Sequence, residues 1–127
     1  MNELEYITRT LAFFDEHPDR WIIGRLAQDA LGESCHANSP AAVGWCAVGG
    51  LCKTAKVESA ITAPPSLLRA LGALDRAVIK HENADDFDGH DLDVGLAWFN
   101  DAQKSWADVR PIFLDAIIDL RHNRSAA

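Results

Sequence analysis

The stretch GWCAVGGLC at residues 44–52 is the first place where side-chain chemistry is expected, because Cys46 stands among glycines. A catalytic cysteine needs its thiolate stabilised by a histidine, a cation or the amides of a helix N-terminus. No catalytic signature surrounds Cys46. Its base would have to be one of the remote histidines, His17, His36, His81, His90 or His122.

The local helix signals favour a packing role for the same stretch. Ser39 followed by Pro40 is typical of an N-cap and a first helical residue, which predicts a helix over 40–55. Cys46 would then lie too far from the first-turn amides for them to stabilise a thiolate. Two glycines inside a helix each cost about 1 kcal/mol relative to alanine. Close approach of another element is the simplest reason for them, so we expect this helix to be the most buried. No catalytic residue is predicted.

A second candidate site is the stretch AWFNDAQKSW at residues 97–106. Asn and Asp side chains bond to nearby backbone amides and so favour turns, which predicts a helix–turn–helix corner braced by indoles. The alternative is a small polar pocket walled by aromatic rings, the usual build of a ligand site. The ligand-binding residues on that hypothesis are Trp45, Trp98, Asn100 and Asp101.

The third candidate is the acidic segment, residues 82–93, which contains no Lys or Arg. Its acidic residues are Glu82, Asp85, Asp86, Asp88, Asp91 and Asp93. The whole chain has a net charge of −7, and without those six residues 13 acidic residues remain against 12 basic ones. Direct nucleic-acid binding is disfavoured, because it depends on clustered cations that neutralise phosphates. A partner protein with a basic surface fits this segment better.

The acidic segment does not match a known metal-binding pattern. A calcium loop has glycine at its sixth position and ligands at the first and twelfth. With Gly89 at the sixth position, Ala84 and Gly95 occupy those two positions, and neither has a ligating side chain. His81 and His90 lack a zinc spacing, and the chain has no CxxC pair. We therefore predict no metal and no cofactor.

The remaining patterns predict a mainly α protein, a single compact domain over 1–127 with four to five helices. Apolar residues recur at spacings of three and four over 2–16, and further helices are expected at 66–80, at 92–99 and from Ser105 onward. Pro111 is expected to bend the last helix or to delay its start. Residues 21–28 favour extended structure, and Gly24 and Gly32 suit a small β-hairpin near residues 20–30.

Compartment is inferred from the cysteines and the hydropathy. Three cysteines, with no basic n-region or long apolar run in MNELEYITRT, predict free thiols in the cytoplasm. No apolar run approaches the length of a membrane span.

Three short elements carry a resemblance to a known family: Trp21 with Gly24, then residues 45–49 (WCAVG), then Trp98 with residues 100–101 (ND). Their order resembles a family of small uncharacterised bacterial and phage proteins, a domain of unknown function with elements W-x-x-G, W-C-A-x-G-A-L and W-N-D. This chain departs from it, since Gly50 replaces an alanine and Phe99 separates Trp98 from Asn100. The resemblance implies that the elements belong to one fold and favours a phage or mobile-element origin. It implies no activity.

Three classes of function follow from these patterns. The first, which we expect, is a non-enzymatic cytoplasmic interaction module that binds a protein partner through its acidic surface. One form of it is an inhibitor whose acids imitate nucleic-acid phosphates on a basic site of a host defence complex. The alternatives are a small-ligand binder with a Trp/Asn/Asp pocket and a Cys-dependent enzyme.

Overall fold

The computed structural model describes residues 1–82 and 95–126, and the side chains of 1–82 and 95–123. Five α-helices and one antiparallel strand pair make up this part of the chain, which confirms a mainly α single domain. In chain order the elements are α1 (Glu3–Glu16), β1 (Ala27–Asp29), β2 (Ala42–Trp45), α2 (Ala47–Ala55), α3 (Pro65–His81), α4 (Leu96–Asp101) and α5 (Trp106–Ala126). Short 3-10 turns lie at Pro18–Arg20 and Ala60–Thr62.

Helix α1 forms where the sequence predicts it. The Asn2 side chain accepts a hydrogen bond from the Glu5 backbone N–H at 2.9 Å, which satisfies one of the free amides of the first turn. Ile7 and Phe14 are fully buried on its inner face. The helix ends just before His17, where Pro18 follows.

One strand of the small β-element lies within the hairpin predicted near residues 20–30, and the other strand lies outside it. Strand β1 pairs antiparallel with β2, with Ala27 opposite Trp45 and Gln28 opposite Gly44. Trp21 forms a separate parallel bridge to Trp45. The partner strand therefore comes from residues 42–45, which the sequence assigned to a helix.

The predicted helix over 40–55 is wrong in its first half. Ser39 does act as a local cap, since its Oγ accepts from the Ala41 backbone N–H at 3.1 Å, but a turn follows and not a helix. The chain is then held extended, because the Cys46 backbone N–H donates to the Leu26 carbonyl at 3.1 Å. Helix α2 begins only at Ala47.

The glycines of α2 have the packing role predicted for them. A Cβ on Gly50 would lie 2.5 Å from the Phe14 ring of α1. A Cβ on Gly49 would overlap the Leu26 carbonyl oxygen. Five of the nine residues of α2 are buried, in agreement with a central position. Close approach of another backbone and another helix accounts for the cost of both glycines.

The later helices match the predictions with small shifts. Helix α3 begins at Pro65, one residue early. Helix α4 spans Leu96–Asp101; of the helix predicted at 92–99, residues 92–94 lie outside the described residues. Helix α5 begins directly after Ser105, whose Oγ donates to Asp108 at 3.3 Å. Pro111 lies exposed inside α5 and does not delay its start. The buried residues of α5 are Trp106, Val109, Ile112, Phe113, Ala116 and Ile117.

Asp15 joins the end of α1 to the start of α5. Its Oδ1 accepts from Trp106 Nε1 at 2.8 Å and from Arg110 Nε at 2.9 Å, and its Oδ2 accepts from Arg110 Nη2 at 3.1 Å. The bidentate Arg110 contact lowers the pKa of Asp15 below its ordinary value of 3.8. The ionised carboxylate is therefore more stable in the folded chain than in the unfolded one.

We predict a pH-dependent loss of stability for Asp15→Asn. Because the folded pKa of Asp15 is depressed, its contribution is present at neutral pH and is lost as the pH falls through and below 3.8. At pH 7 the variant should lose roughly 1 kcal/mol of unfolding free energy, since the pair is partly exposed. Urea unfolding from pH 7 to pH 3 measures this, with Asp115→Asn as the exposed control. A difference in unfolding free energy between Asp15→Asn and the wild type that stays constant from pH 7 to pH 3 would contradict a stabilising role for the ionised Asp15 carboxylate.

Candidate functional site

The buried side chain of Asn100, on α4, bonds to two distant segments of the chain. Its Oδ1 accepts from Trp21 Nε1 at 2.6 Å and from the Ala47 backbone N–H at 2.9 Å. Its Nδ2 donates to the Ile22 carbonyl at 3.1 Å and to Asp101 Oδ1 at 3.3 Å. A carboxamide has two acceptor and two donor positions, and here all four are used. We call this group of residues the Asn100 junction.

Asp101 adds a further bond to the same segment. Its Oδ1 accepts from the Gly24 backbone N–H at 2.9 Å. Gly24 has φ +83°, a left-handed conformation that side-chain-bearing residues rarely adopt. The three short elements noted in the sequence therefore meet at one place: Trp21 with Gly24, the start of α2, and the Asn100–Asp101 pair.

The four residues predicted to form a ligand pocket are divided by the fold. Trp45 is 4% exposed, and its Nε1 donates to the Ala37 carbonyl at 2.8 Å. Trp98 is 43% exposed on α4. Trp45 and Asp101 line two different depressions. Since the carboxamide of Asn100 has no free position, a ligand could bond to it only by breaking the junction.

Beside the junction lies a depression of about 220 Å³ that Asp101 does line. The Gly24–Leu26 stretch forms one wall, and Cys46, Val48 and Ala97 complete it. Small-ligand binding at this corner stays a prediction. Of the four residues predicted for the pocket, Asp101 lines this depression, and Trp45, Trp98 and Asn100 do not.

Cys46 lies at the helix N-terminus and not deep inside a helix. It is the N-cap of α2, and its Sγ accepts from the Gly49 backbone N–H at 3.3 Å. The predicted depth beyond the first turn is wrong, because α2 begins at Ala47. A helix N-terminus can activate a thiol, so the position of Cys46 in the chain does not exclude a nucleophile.

The surroundings of Cys46 nevertheless keep its thiol protonated. Burial raises the pKa of Cys46, the nearby Asp101 carboxylate acts in the same direction, and the amide contacts only partly offset this. Burial also raises the pKa of Cys52 to about 11. All three thiols are free, and Cys35 is the least buried of them. Cys46 therefore acts as a neutral, sulfur-based helix cap.

The structure describes one residue of the predicted acidic surface. Glu82 is exposed and caps the C-terminus of α3. Asp85, Asp86, Asp88, Asp91 and Asp93 lie outside the described residues. The return of the chain to α4 is fixed by Asp75 on α3, whose Oδ1 accepts from the Leu96 backbone N–H at 2.8 Å. Burial raises the pKa of Asp75.

Comparison with protein-family models, with curated proteins and with solved structures found no match for this chain. Within residues 1–82 and 95–126, no group of three or more His, Cys, Asp or Glu side chains could hold a metal ion. No helix in the described part of the chain combines the length and apolar character needed to cross a bilayer.

The structural role of Asn100 was missed in the sequence, although a signal for it exists. Leu96, Phe99 and Asn100 are the buried residues of α4, at spacings of three and four. A polar residue on such an apolar face must find partners inside the protein. That spacing would have placed Asn100 in the core, with Trp98 and Asp101 toward solvent.

We predict that iodoacetamide separates the three thiols by their burial. In native protein Cys35 should be modified first, because Cys46 and Cys52 are buried and their pKa values are raised. Mass spectrometry of peptides measures modification at each site, with urea-unfolded protein as the reference for full reactivity. Modification of native Cys46 at the rate of the unfolded chain would instead show an exposed thiolate and revive the enzyme hypothesis.

Proposed function

We propose that the protein is a non-enzymatic interaction module that binds a protein partner through the acidic segment, residues 82–93. The observation that carries the proposal is the concentration of charge. Six acidic residues and no Lys or Arg lie within those twelve positions, and the rest of the chain is close to neutral. A charge distribution of this kind favours rapid association with a basic surface.

The described part of the chain supplies a fixed support for this segment. Helix α3 leads to Glu82, and the bond from Leu96 to Asp75 fixes the chain again directly after the segment. Asp75 itself is a residue of α3, so one helix positions both Glu82, at the start of the acidic segment, and Leu96, which follows it in the chain.

The structural roles of Asn100 and Cys46 also support an interaction role. All four hydrogen-bonding positions of the Asn100 carboxamide are occupied within the Asn100 junction. Cys46 is a buried cap whose raised pKa keeps it neutral. The polar residues that first pointed to chemistry thus hold the fold together, which leaves the charged surface as the stronger basis for function.

A narrower form of the proposal concerns the kind of partner. Closely spaced carboxylates can imitate the phosphates of a nucleic acid and occupy a basic site on a nucleic-acid-binding protein. Together with the resemblance to bacterial and phage proteins, this form makes the chain a cytoplasmic inhibitor of a host defence complex. It requires that the partner also bind DNA or RNA at the same site.

We predict that removing four of the acids abolishes capture of the partner. A variant with Asp85, Asp86, Asp88 and Asp91 changed to Asn should retain less than about a tenth of the wild-type capture from a bacterial lysate, because association depends on those charges. Wild-type capture should fall as NaCl is raised from 50 to about 500 mM. On the narrower form, an added DNA duplex releases the captured partner.

A control variant with the same net charge separates a local from a general effect. Glu16→Gln, Asp19→Asn, Glu33→Gln and Asp115→Asn together remove four exposed acids from other surfaces. This variant should capture the partner as the wild type does. Equal capture by the Asp85/Asp86/Asp88/Asp91 variant, or equal losses in both variants, would overturn the proposal. Release by salt but not by DNA would retain the interaction module and remove the nucleic-acid mimic.

A further inference from the structure

A depression of about 370 Å³ lies at the C-terminal end of α2, away from the residues of the Asn100 junction. It is lined by Ala37, Asn38, Ser39, Trp45, Lys53 and Lys56. None of these lining residues is acidic, although the chain as a whole has a net charge of −7. Two ammonium groups, a carboxamide and a hydroxyl therefore surround one concave surface.

The ammonium group of Lys53 is held in place by aromatic rings. Its Nζ lies 4.4 Å from the centre of the Phe13 ring and 5.2 Å from that of Trp45. Such cation–π contacts favour a defined position for the charge over a freely moving one. A positioned cation loses less conformational entropy when a ligand binds.

Lys56 stands where a helix normally ends in glycine. It caps the C-terminus of α2 with φ 61°, and it is the one non-glycine residue with positive φ in the described part of the chain. Glycine adopts this conformation without the steric penalty that a side chain incurs. Lys56 therefore takes the place of the usual glycine at a sterically unfavourable backbone position, and it lines the same depression as Lys53.

The loop on the other side of the depression is fixed as well. Trp45 Nε1 donates to the Ala37 carbonyl at 2.8 Å, and the Ala37 backbone N–H donates to the Glu58 carbonyl at 3.0 Å. Asn38 and Ser39 follow directly, with side chains that can donate hydrogen bonds to an anion. A neighbouring depression shares Ser39 and is lined by Ser34, Cys35 and His36.

We propose that this depression binds the oxyanion group of a small molecule, either a phosphate or a carboxylate. Lys53 and Lys56 supply the positive charge, and Asn38 and Ser39 supply neutral donors. Both lysines line the same depression, so each can attract an anion bound there. The site is independent of the acidic segment, so either proposal can fail without the other.

Binding can be tested by NMR titration of the full chain with inorganic phosphate and, separately, with acetate, at constant ionic strength. We expect saturable shifts of the backbone amides of Asn38, Ser39 and the end of α2. Larger effects of phosphate assign the site to phosphate groups, and larger effects of acetate assign it to carboxylates. Shifts that do not saturate with either anion, or that spread evenly over all lysines, would overturn the proposal.

Variants then separate binding from structural roles of the lysines. Lys56→Gly removes the ammonium group but suits the left-handed backbone, so it should weaken anion binding about fivefold or more while raising the melting temperature. Lys53→Met keeps an apolar stem on the aromatic rings and should weaken binding to a similar extent. Lys104→Gln, on another surface, should bind as the wild type does. Unchanged anion affinity in both Lys53→Met and Lys56→Gly would contradict the assignment.

Discussion

The buried carboxamide of Asn100 has four hydrogen-bonding positions, and residues from separate parts of the chain must supply their partners. Trp21 and Ile22 come from the segment after α1, Ala47 is the first residue of α2, and Asp101 is the neighbour on α4. An unpaired polar group at such a depth costs about 1–3 kcal/mol. The arrangement of these segments is therefore set by one side chain that cannot be left partly satisfied.

Close packing around α2 also fixes the position of this helix relative to its neighbours. Gly49 lets the Leu26 carbonyl approach the helix, and that carbonyl also accepts from the Cys46 N–H. Gly50 lets α1 approach through Phe14. Residues 44–52, where a nucleophile was first considered, therefore pack closely against the Leu26 backbone on one side and against α1 on the other. The chemistry of Cys46 is that of a helix cap. The surfaces that we propose for function are the acidic segment and the lysine-lined depression.

Local signals predicted most of the helices but failed where tertiary contacts decide. The apolar periodicity of α1, α3 and α5 predicts these helices correctly because it depends on residues only three or four positions apart. Ser39–Pro40 has the chemistry of a helix start, and Ser39 does cap a turn, yet pairing with residues 27–29 draws 42–45 into a strand. A cysteine cap is not among the usual signals. Asn100 was a candidate polar residue, but its partners Trp21, Ile22 and Ala47 lie over fifty residues away in the chain and cannot be found from spacing alone.

The most direct test of the central role of Asn100 is the unfolding free energy of Asn100→Ala, measured in urea beside the exposed control Asn123→Ala. We predict that Asn100→Ala lowers the unfolding free energy by about 3 kcal/mol or more, since Trp21, Ile22 and Ala47 would each lose a hydrogen-bond partner. Loss of cooperative unfolding would have the same meaning. The control should stay within about 0.5 kcal/mol of the wild type. A loss below about 1 kcal/mol for Asn100→Ala would contradict the claim that the fold depends on this side chain.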